Sequence, residues 1–258
     1  PNVDKFINSP KQDESSEFYT TLAVSLICPR YGGFLAYEKR GTSYSKLGNY
    51  RLAIEDYNEA IRLQPKMAPL YVLRGNVYSN LDQQQHAIED FNEAIRLNPG
   101  YSKAYFNRGI ALAGLGDKKR SLQDFNEAIR LNPEYPHFYN SRGLVHRAMG
   151  QMEKALEDFD EAIRINRWFP HFFNNRGTIL RALGHTEKAL QDFTEAVKLN
   201  PRYPEAVYKR ALLLEQIDPR QALQAWESYL PMAREIPAMQ DKIPEIQKRI
   251  DFWKSRVQ

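Results

Sequence analysis

Hydrophobic and polar positions along this chain follow two helical periods joined end to end, and the joined block returns every 34 residues. Counted from Phe34, apolar or small residues fall at positions 4, 8 and 11, on one face of a first helix, and at 20, 24, 27 and 28, on one face of a second. Position 4 is Tyr37, Tyr71, Tyr105, Tyr139 and Phe173, then Val207; position 8 is Gly41, Gly75, Gly109, Gly143 and Gly177, then Ala211. Position 20 is always small, from Ala53 to Ala222, while position 24 is always a large ring: Tyr57, Phe91, Phe125, Phe159, Phe193 and Trp226. Large rings therefore meet glycine and alanine, which lets the paired backbones approach closely.

Turn signals divide the block where the period predicts. Leu47-Gly48, Leu115-Gly116, Met149-Gly150 and Leu183-Gly184 are expected to end the first helix, because glycine adopts the left-handed cap conformation at little cost. Pro65, Pro99, Pro133 and Pro201 close most copies, whereas the fourth has Arg167 there. Six copies result, at residues 34–67, 68–101, 102–135, 136–169, 170–203 and 204–230. The sixth has one residue fewer between Arg210 and Ala222 and carries Tyr229 at position 27, drift that suits a terminal copy.

This pattern resembles the tetratricopeptide repeat, a helix-turn-helix unit of the same length, over about residues 34 to 230. The resemblance implies an all-α, right-handed superhelical solenoid of antiparallel helix pairs with terminal capping helices. Residues 1–33 are expected to hold one cap, with an apolar helix from Phe18 to Cys28 packed on the first repeat. Residues 231–258 are expected to hold the other, since Ala233, Ile236, Met239, Ile243, Ile246, Ile250 and Trp253 make a helical stripe. In the family, first helices line a concave groove through positions 2, 5, 6, 9, 12 and 13. Carried across, a peptide groove would present Lys39 and Lys46, then Asn76 and Asn80, then Phe106 and Asn107. It would continue through His137, Asn140, Arg147, His171, Asn174, Asn175 and Arg181 to Tyr208 and Lys209. Asparagine amides suit an extended main chain, and Arg147 and Arg181 suit acidic side chains or a carboxylate. Lys39 and Asn76 match only loosely the lysine and asparagine set of the family's carboxylate-clamp members, so chaperone-tail binding is not implied.

A net charge of +4 and pI ≈ 9.0 raise the question of nucleic acid. Arginine stands at position 7 of every copy, as Arg40, Arg74, Arg108, Arg142, Arg176 and Arg210. An equally regular aspartate stands at position 23, as Asp56, Asp90, Asp124, Asp158 and Asp192. Co-periodic opposite charges most simply form a structural ladder of ion pairs. Arg210 persists although Ala225 replaces its own aspartate, which favours pairing between neighbours: Asp56 with Arg74, and so on to Asp192 with Arg210, leaving Arg40 over. Pairing within each repeat would instead leave Arg210 over. With these charges neutralised, little basic surface remains for phosphates, and no nucleic-acid partner is expected.

No phosphate loop, nucleophile elbow or Cys/His metal spacing is present, so the chain reads as a non-enzyme without cofactor or metal. His137 and His171 share position 2 in adjacent copies, where stacking would hold them too far apart for easy joint metal binding. His146 occupies core position 11 and reads as a satisfied core histidine. Phe138 and Phe172, the second of them in the ring-rich junction from Arg167 to Phe173, stand where small residues normally sit and are expected to thicken the core rather than form an apolar contact patch. Phe18 to Cys28 is too short to span a bilayer and is preceded by acidic residues, so no membrane insertion is expected and a soluble, cytoplasmic protein is. A start at Pro1 rather than methionine is what removal of a targeting segment would leave, and a lone cysteine excludes an intramolecular disulfide. The functional expectation is a scaffold or adaptor holding a protein or peptide partner in its groove, with two readings still open. One is a docking or regulatory part of a larger enzyme or secretion or assembly complex; the other is self-association.

Overall fold

The computed structural model describes residues 33–257, so the expected N-terminal cap and its Phe18 to Cys28 helix lie outside the described residues. Among the described residues the fold is all-α, a succession of helix pairs. The pairs are α1 (Gly33–Lys46) with α2 (Tyr50–Leu63), α3 (Ala68–Asn80) with α4 (Gln84–Leu97), and α5 (Ser102–Gly114) with α6 (Lys118–Leu131). They continue as α7 (Pro136–Ala148) with α8 (Met152–Ile165), α9 (Pro170–Ala182) with α10 (Thr186–Leu199), and α11 (Pro204–Ile217) with α12 (Pro219–Glu235). A 3₁₀ turn (Pro237–Lys242) and α13 (Ile243–Val257) follow. The chain divides after Leu131 into two compact units. Within each unit the first helices of successive pairs touch directly, α1 with α3, α3 with α5, and α7 with α9.

The core follows the ring-on-glycine rule. Tyr57, Phe91, Phe125, Phe159, Phe193 and Trp226 are at most 1% exposed, so each removes nearly its whole apolar surface from water, worth roughly 1.5–3 kcal/mol per side chain. Phe138 and Phe172 are also buried, so these two rings do thicken the core, whereas Trp168 beside them is 73% exposed.

The turn inside each of the first five pairs is a left-handed cap. Gly116, at φ +83°, lets the amide of Asp117 reach back to the carbonyl of Leu112 at 2.9 Å. The second copy lacks the glycine, and Asp82 adopts φ +58° in its place with the same closure, Gln83 amide to Tyr78 carbonyl at 2.8 Å. The shortened sixth turn dispenses with this device. There α12 starts directly after Asp218, whose carboxylate accepts from the amides of Arg220 (2.9 Å) and Gln221 (3.1 Å) as an N-cap.

The second turn survives the loss of its proline. Asn98, Asn166 and Asn200 each accept, at 3.0 Å, from the amide two residues on, so Asn166 holds the bend although Arg167 follows it. At the C-terminus the apolar stripe does not run as one helix. Pro231, expected to begin the terminal segment, lies inside α12, and the break falls at Ile236, forced extended (φ −100°, ψ 111°) by Pro237. Ile246 and Ile250 of α13 then cover the last pair, together with Trp226, Tyr229 and Ala233. Glu215 anchors that cover, accepting from Trp226 Nε1, Trp253 Nε1 and Arg249 Nη1 at 2.9, 3.2 and 2.8 Å.

Candidate functional site

The arginine and aspartate ladder is real, but its rungs lie within repeats rather than between them. Arg74 donates from Nε and Nη2 to the two oxygens of Asp90 at 2.9 and 2.6 Å, and Arg108 reaches Asp124 at 2.8 and 2.7 Å. Arg40 with Asp56, Arg142 with Asp158 and Arg176 with Asp192 repeat the arrangement. The expected neighbour pairing is therefore corrected. The 16-residue spacing brings position 7 of a first helix against position 23 of its own partner helix, the helix onto which position-8 glycine packs. Neighbours are joined instead through position 25: Arg74 Nη1 donates to Asn58 at 2.6 Å, Arg108 Nη1 to Asn92 at 2.6 Å and Arg176 Nη1 to Asp160 at 2.7 Å. Each of these guanidinium groups also lies over a position-4 ring, 5.5 to 5.7 Å from its centroid.

These contacts set the protonation balance. Hydrogen bonding to aspartate holds Arg40, Arg74, Arg108 and Arg176 above the ordinary arginine range. Burial pushes the carboxyls of Asp90, Asp158 and Asp192 up, and the arginine bonds pull them back. Arg210, without an aspartate, is lowered by burial.

The side chains expected in the groove sit on first helices. In the first unit, Asn107 donates to Asn76 across α5 and α3 at 2.8 Å. Lys39, Lys46 and Asn80 are exposed, and Phe106 leans on Phe125 with ring centroids 5.8 Å apart. In the second unit, Asn175 of α9 donates to Asn140 of α7 at 2.9 Å, and Lys209 of α11 donates to Thr178 of α9 at 2.8 Å. Lys209 also holds Glu205 at 2.6 Å, beside Asn174. Thr178 and Glu205 thus belong to this constellation although the sequence reading did not single them out.

Two expected groove residues are corrected by their burial. Asn140 is 7% and Asn174 1% exposed, because directly touching first helices leave position 5 little access to solvent. Tyr208 packs edge-on to Trp226 (5.5 Å between centroids) in the terminal core. The face also carries cations. Burial lowers the Lys209 ammonium, Glu205 partly restores it, and the charges of Arg181 and Arg147 lower it again. Three cations therefore share one region of α7, α9 and α11. Glu205, held by Lys209, is the carboxylate bonded there, and the side chains of Arg147 and Arg181 make no hydrogen bond or ion pair among the described residues.

The histidines are closer than their sequence spacing suggested. His137 and His171 stack with centroids 5.6 Å apart and planes 14° from parallel, inside a cluster with Tyr135, Phe138, Phe169 and Phe172. Burial lowers both. Among the described residues no group of three or more metal-ligating side chains assembles. His146 sits half-buried with Nδ1 2.7 Å from Gln151 Oε1 and Nε2 3.8 Å from Asp158. No helix among the described residues is long and apolar enough to cross a membrane.

Comparison with known proteins follows the same architecture. The family model described as tetratricopeptide repeat matches residues 34–67, 68–101, 102–135, 137–169 and 172–203, more than half of the chain. Curated proteins include none that matches. Among solved structures, the chain is similar to one titled as the APC/C hetero-tetramer Cut9-Hcn1, at TM-score 0.73 and 16% identity over 91% of this chain and 46% of that one. It is similar to a structure of Pseudomonas aeruginosa pilF at TM-score 0.71 and 19% identity, covering 83% of this chain and 96% of that one. YrrB, described as a TPR protein with an unusual peptide-binding site, is similar at TM-score 0.54 and 21% identity, covering 75% and 97%. At these identities the likeness is one of fold.

Proposed function

We propose that this chain, which belongs to the tetratricopeptide repeat family, is a non-catalytic scaffold whose first helices α7, α9 and α11 hold an extended, acidic segment of a protein partner. The observation that carries this reading is the gathering of Arg147, Arg181 and Lys209, close enough for the two arginines to depress the lysine, with Glu205 as its bonded counter-charge. Cations crowded on one face repel each other, and an acidic segment relieves that repulsion while steering its own approach. Arg181 is exposed and Arg147 half-buried, so both are free to take up side-chain carboxylates. YrrB supplies a precedent of fold for peptide binding, although the residues here have to be argued on their own chemistry.

Screening an array of extended peptides that differ in net charge tests the reading, with the full chain and its Arg147→Ser/Arg181→Ser variant as probes. Acidic peptides should bind the wild type selectively and lose most of their signal with the variant. Selection of neutral or basic peptides, or an unchanged acidic signal with the variant, would overturn it.

A further inference from the structure

Arg210 departs from every other member of the ladder. In the other copies the position-7 guanidinium receives a carboxylate from its own second helix. At Arg210 the place of that carboxylate is taken by Ala225, itself 1% exposed, and Val207 replaces the ring on which the other arginines lie. The position-25 residue of the preceding repeat is Thr194. The Arg210 side chain makes no hydrogen bond or ion pair among the described residues, and its Nε is buried without a partner.

Open space borders Arg210 instead. A pocket of ≈ 310 Å³ lies between α10, α11 and α12, bounded by Thr194, Arg210, Leu214, Gln221, Gln224 and Ser228. Its polar lining consists of the guanidinium, two carboxamides and two hydroxyls and includes no carboxylate; Gln221 Nε2 already donates to Asp218 and Ser228 Oγ to the Ala225 carbonyl, which leaves the guanidinium, Gln224 and Thr194 as donors. A half-buried cation with its Nε buried and unpaired is costly to leave uncompensated, and the ladder itself shows which group satisfies it. In the second repeat a carboxylate takes Nε and Nη2 together at 2.9 and 2.6 Å.

We propose that this pocket is a carboxylate-binding site, in which an external carboxylate meets the Arg210 guanidinium from the pocket and serves it as Asp56, Asp90, Asp124, Asp158 and Asp192 serve the arginines of the other repeats. It is lined by α10, α12 and the side of α11 that carries Arg210 and Leu214, and shares no residue with the first-helix face proposed above. Two sources share the chemistry: a free small carboxylate, and an Asp, Glu or terminal carboxylate on a partner chain.

The test is a titration of the full chain with acetate, succinate, phosphate and a short peptide ending in aspartate, at constant ionic strength. It is followed by thermal unfolding and by the ¹H–¹⁵N resonance of Arg210 Nε, in wild type, Ala225→Asp and Arg210→Met. A saturable rise in Tm with movement of the Arg210 resonance is expected for carboxylates in the wild type, because a ligand that binds the native state stabilises it by mass action. Response to acetate or succinate identifies a free carboxylate as sufficient; response to the peptide alone identifies a partner's. Ala225→Asp should start at a higher Tm and respond to none, since it restores the internal carboxylate. Arg210→Met, of similar volume and uncharged, should lose the response even if Ala225→Asp fails to fold. The proposal is overturned if no carboxylate moves the wild type, if phosphate acts as strongly as carboxylate, or if Arg210→Met responds like the wild type.

Discussion

Replacing Gly75 by alanine would place a Cβ 2.7 Å from Cε1 of Phe91 and 3.1 Å from its Cδ1 and Cζ. No real Cβ sits so close, so either the ring or the helix must move. Phe91 is 0% exposed and packs among Ala87, Ala94 and Ala104, which leaves the ring no empty direction in which to turn. Overpacking of this kind costs about 1–3 kcal/mol, against a helix-propensity gain of about 1 kcal/mol for exchanging glycine for alanine. The balance is a loss of about 1 kcal/mol. Gly114 provides the control: it is exposed, lies in α5, and a Cβ there meets nothing nearer than Gln84 Cδ at 4.0 Å. Gly114→Ala, at the final residue of α5, should keep part of the propensity gain, so the two variants should differ by roughly 1–2 kcal/mol. The entropy that glycine gives the unfolded chain is common to both and cancels in that difference. Urea unfolding followed by far-UV circular dichroism measures it as opposite shifts of the midpoint. Equal stabilisation by both substitutions would refute the ring-on-glycine account of how the helix pairs close.

Two further predictions follow from the charged groups. Asp124→Ala leaves Arg108 with only Asn92 and should destabilise by about 2–3 kcal/mol, below the 3–5 kcal/mol of a fully buried pair because water reaches the partly exposed guanidinium; a loss under 0.5 kcal/mol by urea unfolding would contradict a structural role for the ladder. His137 and His171 are held below 6.5 by burial, so the unfolded chain takes up protons first as the pH falls. Stability should therefore be lost downward from about pH 6.5 and level off once the folded histidines protonate. Thermal unfolding across that range should show the loss in the wild type and a flatter profile in His137→Phe/His171→Phe; identical profiles would rule out the stacked pair as its source.

How far the sequence speaks for itself differs from residue to residue. Position-24 rings against position-8 glycines were legible because each periodicity names one helix face, and a shared period tells which faces meet. The partner of Arg74 was not legible in the same way. Asp56 and Asp90 recur with the same period, so the period alone cannot tell the carboxylate of one repeat from that of the next. Retention of Arg210 pointed toward the neighbour, yet that arginine is kept without any partner among the described residues. Asn58, Asn92 and Asp160, the residues that do join neighbours, were visible as a polar column at position 25 and were overlooked. Asn140 and Asn174 were placed on the right helices but credited with too much exposure, because helical phase says nothing about how near the next first helix stands. The C-terminal stripe was continuous in its apolar residues, and Pro237 broke it through the backbone of Ile236.

The central claim is that an acidic segment binds the first helices α7, α9 and α11. Its most direct test is the affinity of an acidic peptide, measured by isothermal titration calorimetry, for Arg147→Ser/Arg181→Ser and for a charge-matched variant of second helices, Arg96→Ser/Arg130→Ser. The account predicts a loss of about tenfold or more, ~1.4 kcal/mol, in the first variant and almost none in the second. Equal weakening by both would show that net charge alone attracts the peptide and would contradict the claim.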